Sequence, residues 1–470
     1  MRCIILFLYR IKQFWNIILS LYNVYQLNKF INNDVSVEYY SNKLKNNIDN
    51  IGIFGIKLIQ WGLDRVKTIY DKKVFEKLSN KFNKYYENCD IHDFEYTKKV
   101  YFNDFNKKIL DEFDMDEKPI ASGSIGQVYK GWYKNKLDNN KKIKVAIKVV
   151  HPGVKEQIFV PKMFLLILDY IGRKLSCFNK FRSVVDINSF FDSLKKQIDL
   201  NNEAINMKKT KDLYKDNTLL VIPKLYNYSS NFIIMSYEDG DFFEDIKLSD
   251  YQKLKITCIL RLYLNSATCI KNFLHGDLHN GNWKVRKHPF YNIYQIILLD
   301  FGICSSIDSA NDLRLIHTTM ETNNIENFFP LMKKYMTISE DNFNPIKERL
   351  KEYFKDKDIK FNDIINYLLD HNIKVDYRFM NMTISSVICI DHINKYIRYD
   401  ESDKNVQFTF MPELITICKT YDCFKDYCKL LEEKLNKNLK DYNLFNVNGK
   451  IISIDSDSEI SDSDSESKLV

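Results

Sequence analysis

The chain of 470 residues has no C-x-x-C pair; its ten cysteines are scattered, and its eight histidines are equally dispersed. That pattern argues against a zinc ribbon or finger and fits reduced thiols inside a cell rather than a disulfide framework. No secretory signal and no internal repeat is recognisable. Aromatic residues are not interleaved with basic ones in the way that marks a nucleic-acid surface, so no nucleic-acid partner is expected. Acid is missing from the first 33 residues, which carry Arg2, Arg10, Lys12 and Lys29. From Cys3 to Tyr22 this stretch is strongly apolar, but Arg10 and Lys12 sit at its middle. Each of those cations costs about 2.5–3.5 kcal/mol in a span. Eleven Leu, Ile or Phe residues return about 0.3–0.6 kcal/mol each. The two sides nearly cancel, so a membrane span is not supported. Gln13, Asn16, Ser20 and Asn23 lie three to four apart and predict an amphipathic helix over 1–33, resting on a membrane or on the protein core. A basic, acid-free start also suits a mitochondrial presequence, although Arg and Ser are sparse.

The opposite end is acidic. Residues 451–470 hold six acids against one lysine, so the net charge would rise from +7 to +12 without them. Such a tail cannot bury enough apolar surface to fold and is predicted to be disordered. Its serines resemble sites of acidophilic kinases, and its final Ser-Lys-Leu-Val is not a peroxisomal signal. The basic body favours anionic membrane surfaces, and 45% hydrophobic residues suffice for a sizeable core.

What is present is a set of phosphoryl-transfer motifs. His275-Gly276-Asp277-Leu278-His279-Asn280-Gly281-Asn282 places an Asp and an Asn five positions apart. At that spacing a kinase catalytic loop aims its Asp at the attacking hydroxyl and its Asn at magnesium. Asp300-Phe301-Gly302 follows an apolar, strand-like run, Ile296-Ile297-Leu298-Leu299, and its carboxylate suits a magnesium that bridges nucleotide phosphates. Upstream, Ala121, Ser122, Gly123, Ser124 and Gly126 fit a phosphate loop, with Ala121 where kinases usually carry a first glycine. Small residues there let backbone N–H groups approach the phosphates. Val145-Ala146-Ile147-Lys148 lies on a second strand-like run, joined to the first by a polar connector at 134–142, so the pair predicts a hairpin. Lys148 is placed to reach the α- and β-phosphates. Phe190, Phe191, Leu194 and Ile198 have helical spacing, and Asp199 and Glu203, four apart, are expected on one helix face. Glu203 is the candidate partner for Lys148; a solvated helix face is the alternative for both acids. From 310 to 450 the pattern is helical without a further motif.

Together these residues resemble the UbiB-type, AarF-domain-containing atypical kinase-like proteins that support coenzyme Q biosynthesis. The resemblance rests on Ser124-Ile125-Gly126-Gln127-Val128, on Ala146-Ile147-Lys148-Val149-Val150-His151-Pro152-Gly153-Val154, on Asp199 with Glu203-Ala204, and on the two downstream motifs. It covers roughly residues 50–310. It implies an N-terminal helical motif, Lys-x-Gly-Gln, that folds over the active site; Lys57-Leu58-Ile59-Gln60 stands at that place, with Ile59 for the glycine. Such an Ile should push the helix away or demand a compensating change. Ala121-Ser122-Gly123-Ser124 replaces the family's alanine-rich loop, leaving the choice between ATP and ADP open. Gln197 stands where many members carry Glu, and Asn280 replaces a loop proline.

The resemblance implies an α+β fold: a two-lobed protein-kinase-like core with an N-terminal helical extension. The expected divisions are 1–33, 34–115 with Lys57 and Gln60, 116–240 as N-lobe, 241–450 as C-lobe, and 451–470. The implied cofactors are ATP or ADP and Mg2+, with Asp277, Lys148 and Glu203 catalytic, Asn282 and Asp300 on the metal, and Lys57, Gln60 and Asp199 regulatory. The expected protein is an intracellular kinase or ATPase peripheral to a membrane or bound to lipid. A nucleotide-gated, weakly catalytic pseudokinase and a small-molecule phosphotransferase are the rivals.

Overall fold

A computed structural model of the chain describes residues 2–379 apart from internal gaps, of which 60–71, 175–185, 316–324 and 356–366 are the longest. Gln60, His279, the acidic tail and the C-terminal segment beyond 379 lie outside the described residues. Two helices open the chain as a hairpin, α1 (Arg2–Lys29) and α2 (Asp34–Ile51). The Asn33 side chain starts α2 by accepting the Ser36 N–H at 3.0 Å, one of the donors that a helix start leaves unpaired. Val37, Leu44, Ile48 and Ile51 of α2 point into the core. The α1 helix is turned the other way. Its polar row, Gln13, Asn16, Ser20 and Asn23, faces the protein, while Ile4, Phe7 and Trp15 are 65%, 62% and 57% exposed. Gln13 is fully buried and donates from Nε2 to the carbonyls of Ile51 and Gln157, both at 2.8 Å. The α3 helix over 53–59 follows and carries Lys57, and α4 (Lys72–Phe82) and α5 (Phe94–Phe105) lead to the first sheet.

That sheet begins with β1 (Phe113–Met115), β2 (Ala121–Ser122), β3 (Gly126–Asp138) and β4 (Lys141–Val150). Three helices then intervene, α6 (Phe159–Lys174), α7 (Ile187–Ile198) and α8 (Leu200–Leu213). After β5 (Leu220–Val221), the strands β6 (Leu225–Tyr228) and β7 (Phe232–Ser236) complete it. The order is β1-β3-β4-β7-β6 with β2 on β3, and every pairing is antiparallel. The β3–β4 pairing continues into the polar connector predicted at 134–142, as far as Asp138 opposite Lys141, with a register shift between Trp132 and Leu137. Ladder hydrogen bonds need no apolar side chains, so a polar hairpin end can still pair.

Strand alternation divides the β4 side chains. Val145, Ile147 and Val149 join Tyr129, Phe232 and Ile234 in a core closed by Phe94 and Tyr101 of α5. Ala146 and Lys148 point to the opposite face, over a cleft. The second sheet lies across that cleft. It comprises β5, β8 (Asp241–Phe242), β10 (Trp283–Lys287) and β11 (Tyr294–Leu298) in the order β5-β11-β10-β8. Here β9 (Leu274–His275) pairs with β12 (Cys304–Ser305), so the 275–282 loop and the Asp300-Phe301-Gly302 segment flank adjacent strands. The architecture is α+β and two-lobed.

Candidate active site

The cleft has a volume of about 280 Å³ and is lined by the loop 120–126, Val128, Ala146, Lys148, Glu203, Asp277, Asn282 and Asp300, with Lys57 at its edge. Val128, Ala146, Met235 and Leu299 give it an apolar slot beside the charged groups. At its centre Lys148 Nζ donates to both oxygens of Glu203, at 2.9 and 2.8 Å, and lies 3.1 Å from Asp300 Oδ2. Burial opposes the ammonium of Lys148, but Asp300 and Glu203 outweigh it and hold its pKa above the ordinary range. Burial pushes Glu203 up to about 7; Lys148 pulls against that and Asp300 adds to it. Burial would raise Asp300 as well, yet Lys148 and then Lys57 hold it well below the usual carboxylate range. One cation is thus shared by two carboxylates with unequal proton affinity. Cys304, beside them, is kept a thiol by burial, which pushes its pKa up.

Glu203 reaches Lys148 because the helix is interrupted just before it. The sequence spacing put Asp199 and Glu203 on one helix face, and the structure corrects this. Asp199 ends α7 and caps α8, with φ −94° and its carboxylate accepting the Asn201 N–H at 3.1 Å. An Asp that caps its own backbone breaks the helical run. Glu203 then falls in the first turn of α8, aimed at the cleft, and Asp199 is not among the residues lining it.

The catalytic-loop motif is held by its neighbours. His275 Nε2 donates to the Leu299 carbonyl at 2.9 Å, and the Asp277 N–H points at His275 Nδ1 at 3.3 Å. Asn282 Nδ2 donates to the Asp277 carbonyl at 2.7 Å, and the Leu299 N–H donates to the Asn282 carbonyl at 2.8 Å. These bonds tie the 275–282 loop to the residues just before Asp300. Asp300 has φ +52°, a left-handed conformation that Asp tolerates by local hydrogen bonding, here from the Gly302 N–H to its Oδ1 at 3.1 Å. Lys57 Nζ stands 3.7 Å from Asp277 Oδ2. Ile59, in place of the family glycine, packs against the core without keeping Lys57 from the cleft.

The phosphate loop is braced by Gly123 N–H donating to the Gly126 carbonyl at 2.9 Å. Its two glycines differ in purpose. A Cβ on Gly126 would lie 2.2 Å from the Val149 carbonyl, so this position serves the close pairing of β3 with β4. A Cβ on Gly123 would meet nothing nearer than 3.8 Å, which leaves its small size for an incoming group. Among the described residues no cluster of three His, Cys, Asp or Glu could hold a metal alone. Asp300 and Asn282 line the same cleft, a donor set that fits magnesium, which takes one or two protein oxygens and fills its shell with phosphates and water. Sequence reasoning missed a second histidine, His92, whose Nδ1 lies 2.8 Å from Nδ1 of His151 beside the phosphate loop. Contacts across 59 residues have no periodic signature.

Comparison with known proteins places these features in a family. The sequence model of the ABC1 atypical kinase-like domain matches residues 84–327. The probable serine/threonine-protein kinase abkC of Dictyostelium discoideum is 31% identical over 241 residues, 50% of this chain and 33% of that protein. AarF domain-containing protein kinase 1 of Xenopus tropicalis is 28% identical over 207 residues, 43% of this chain and 38% of that protein. The probable protein kinase UbiB of Shewanella pealeana is 28% identical over 214 residues, 44% and 36% respectively. The chain therefore matches about a third of the length of these relatives. With more than half of its residues inside the matched domain and the lysine, carboxylate and catalytic-loop groups gathered in one cleft, the chain belongs to the ABC1 atypical kinase-like family.

Proposed function

We propose that the chain is an ATP- or ADP-binding, magnesium-dependent atypical kinase or ATPase of the UbiB type, acting at a membrane surface in coenzyme Q or lipid metabolism. The observation that carries this reading is Lys148 held between Glu203 and Asp300 on the cleft wall opposite Asp277 and Asn282. In it, Lys148 orients the phosphates and Glu203 fixes Lys148. Ala121, Ser122, Gly123 and Ser124 let the loop close on the nucleotide, with Gly126 setting the loop's end. Asn282 and Asp300 hold magnesium, which supplies neutralisation of phosphate charge when bound. Asp277 orients or deprotonates the acceptor hydroxyl or a water. Catalysis of this kind is positioning and electrostatics.

The membrane part rests on α1. A helix that buries Gln13, Asn16, Ser20 and Asn23 and exposes Ile4, Phe7, Leu8 and Trp15 needs an apolar surrounding outside the protein. Its surface continues onto α6, where Phe159, Met163, Ile167 and Tyr170 form one exposed stripe and Phe164 meets Phe14 at 5.6 Å. By length and composition α1 could cross a membrane; its packing along α2 and α6 supports a surface position instead. A second reading, a nucleotide-gated pseudokinase, is favoured by one contact: Lys57 on Asp277 engages the group that would take the acceptor proton. Magnesium-dependent ATP hydrolysis on anionic vesicles separates the two. Turnover that vanishes in Asp300→Asn supports the enzyme. Nucleotide binding without turnover in wild type, altered by Lys57→Ala, supports the gated protein, and turnover undiminished in Asp300→Asn overturns the assignment.

A further inference from the structure

His151 follows the lysine strand directly and belongs to none of the groups that handle phosphate in the reading above, yet it grips the phosphate loop at three points, one of them a 3.4 Å contact of its Nε2 with the Ser122 hydroxyl. Its N–H donates to the Ile125 carbonyl at 2.8 Å, and its ring Nε2 lies 3.1 Å from the Gly123 carbonyl. Its other ring nitrogen meets His92 Nδ1 at 2.8 Å, and His92 Nε2 meets Thr97 Oγ1 at 2.9 Å. Thr97 is 3.0 Å from the Tyr129 hydroxyl, which accepts from Gln127 Nε2.

The proton order along this chain is set from both ends. A carbonyl only accepts, so His151 carries its proton on Nε2, and the neutral ring accepts at Nδ1. His92 must then donate from Nδ1 and accept at Nε2 from Thr97. At the far end the Gln127 amide nitrogen only donates, so the Tyr129 hydroxyl donates onward to Thr97. The orientation of the Gln127 amide is fixed separately, because its Oε1 accepts the His92 N–H at 2.9 Å. Both ends require the same polarity. The strap around His92 is also stitched to the loop by its main chain: the Cys89 N–H donates to the Ser122 carbonyl at 2.8 Å.

We propose that His151 is a positioning residue of the phosphate loop, held as the Nε2–H tautomer by His92, so that the strap 89–93 sets how the loop meets a nucleotide. This rests on the reading that residues 121–126 receive phosphates. A proton added to either ring would set two N–H groups against each other. Burial and the facing His151 push His92 down to about 4, and burial lowers His151 as well. The groups around the pair are Asp90 and Asp93 on the strap, Tyr96 on α5, Tyr129 on β3, and Glu156, which acts on Tyr96.

The test is amide exchange of the 119–128 peptide by mass spectrometry on the full chain, beside ATP affinity, for wild type, His92→Ala, His151→Ala, His151→Gln and the His92→Ala/His151→Gln double variant. His151→Ala should speed loop exchange and weaken ATP by about tenfold, the scale of one lost hydrogen bond. His92→Ala should give part of the same effect without touching residues 121–126. His151→Gln keeps a donor for the Gly123 carbonyl, so it should restore loop protection, and His92→Ala should add nothing in that background. Wild-type loop protection, taken relative to the intrinsic exchange rate at each pH, should also drop as the pH falls toward about 4, and that of His151→Gln should not. Unchanged loop exchange in both alanine variants, or a His92→Ala effect that persists undiminished with Gln at 151, overturns the proposal. Wild type that binds no ATP in any buffer overturns the kinase reading instead, while loop exchange still decides the relay.

Discussion

The cleft and the N-terminal helix each depart from the rule that charge and polarity face water, and they do so in opposite ways. In the cleft, Lys148 and Glu203 are 7% and 3% exposed, and each has its counter-charge within 3 Å. On α1 the polar row is buried beside Ile17 and Leu27, and most of the remaining hydrocarbon is outside. The cleft resolves its own difficulty with partners from the same chain. The helix does so only on its inner face, where the Gln13 amide nitrogen has two acceptors while its Oε1 has no hydrogen-bond partner among the described residues. Among the described residues nothing apolar covers its outer face, which suits the apolar surface proposed for it. Departures from local rules mark function. In the proposed function one serves internal chemistry and the other an external surface.

The largest effect should come from removing the shared cation. Lys148→Met leaves Glu203 and Asp300 facing each other without it, which costs about 3–5 kcal/mol of stability. Because Glu203 is already pushed up to about 7, it can take a proton, so denaturation with urea should show a smaller loss at pH 6 than at pH 8. Lys148→Met with Glu203→Leu should regain much of the stability and none of the turnover. An equal loss at both pH values would contradict the buried-charge half of the comparison.

The two faces of α1 should respond differently. Gln13→Leu strands the Ile51 and Gln157 carbonyls and should cost about 1–3 kcal/mol with little change in vesicle binding. Phe7→Asp with Trp15→Asp should leave stability within about 0.5 kcal/mol and lower sedimentation with anionic vesicles by about tenfold to hundredfold. If both substitutions acted on stability alone, the outer face would not be a docking surface.

The smallest effect is a pH dependence. His92 stays neutral in the fold down to about 4, whereas in the unfolded chain it takes a proton near the ordinary 6.5. The stabilisation from its lowered pKa is therefore present above 6.5 and is lost as the pH falls toward 4. Allowing for its partial exposure, the window should hold about 1–2 kcal/mol. His92→Gln should flatten it in thermal melts at pH 7, 5.5 and 4.5.

Where function needs several groups on short, locally determined segments, the sequence was legible. Lys148 on a strand, Asp277 and Asn282 on one loop, and Asp300 after another strand each sit in a motif whose local geometry aims them, and the sheets bring those motifs to one cleft. Asp199 misled because spacing cannot tell a helix that continues from one that restarts at a capping Asp. Gly126 was assigned to phosphate approach; it lines the cleft, and its size is demanded as well by a neighbouring strand, which spacing does not reveal. The orientation of α1 was not legible, since periodicity defines two faces without saying which one turns inward. The pairing of His92 with His151 was invisible because it depends on how α5 closes the sheet.

The most direct test is the affinity of ATP for the full chain by calorimetry, with magnesium and with magnesium chelated, for wild type and Asp300→Asn. The account predicts that wild type binds ATP and that affinity falls at least about tenfold on chelation, while Asp300→Asn shows no magnesium dependence. Wild-type affinity indifferent to magnesium, or an Asp300→Asn variant that keeps the full magnesium effect, would contradict it.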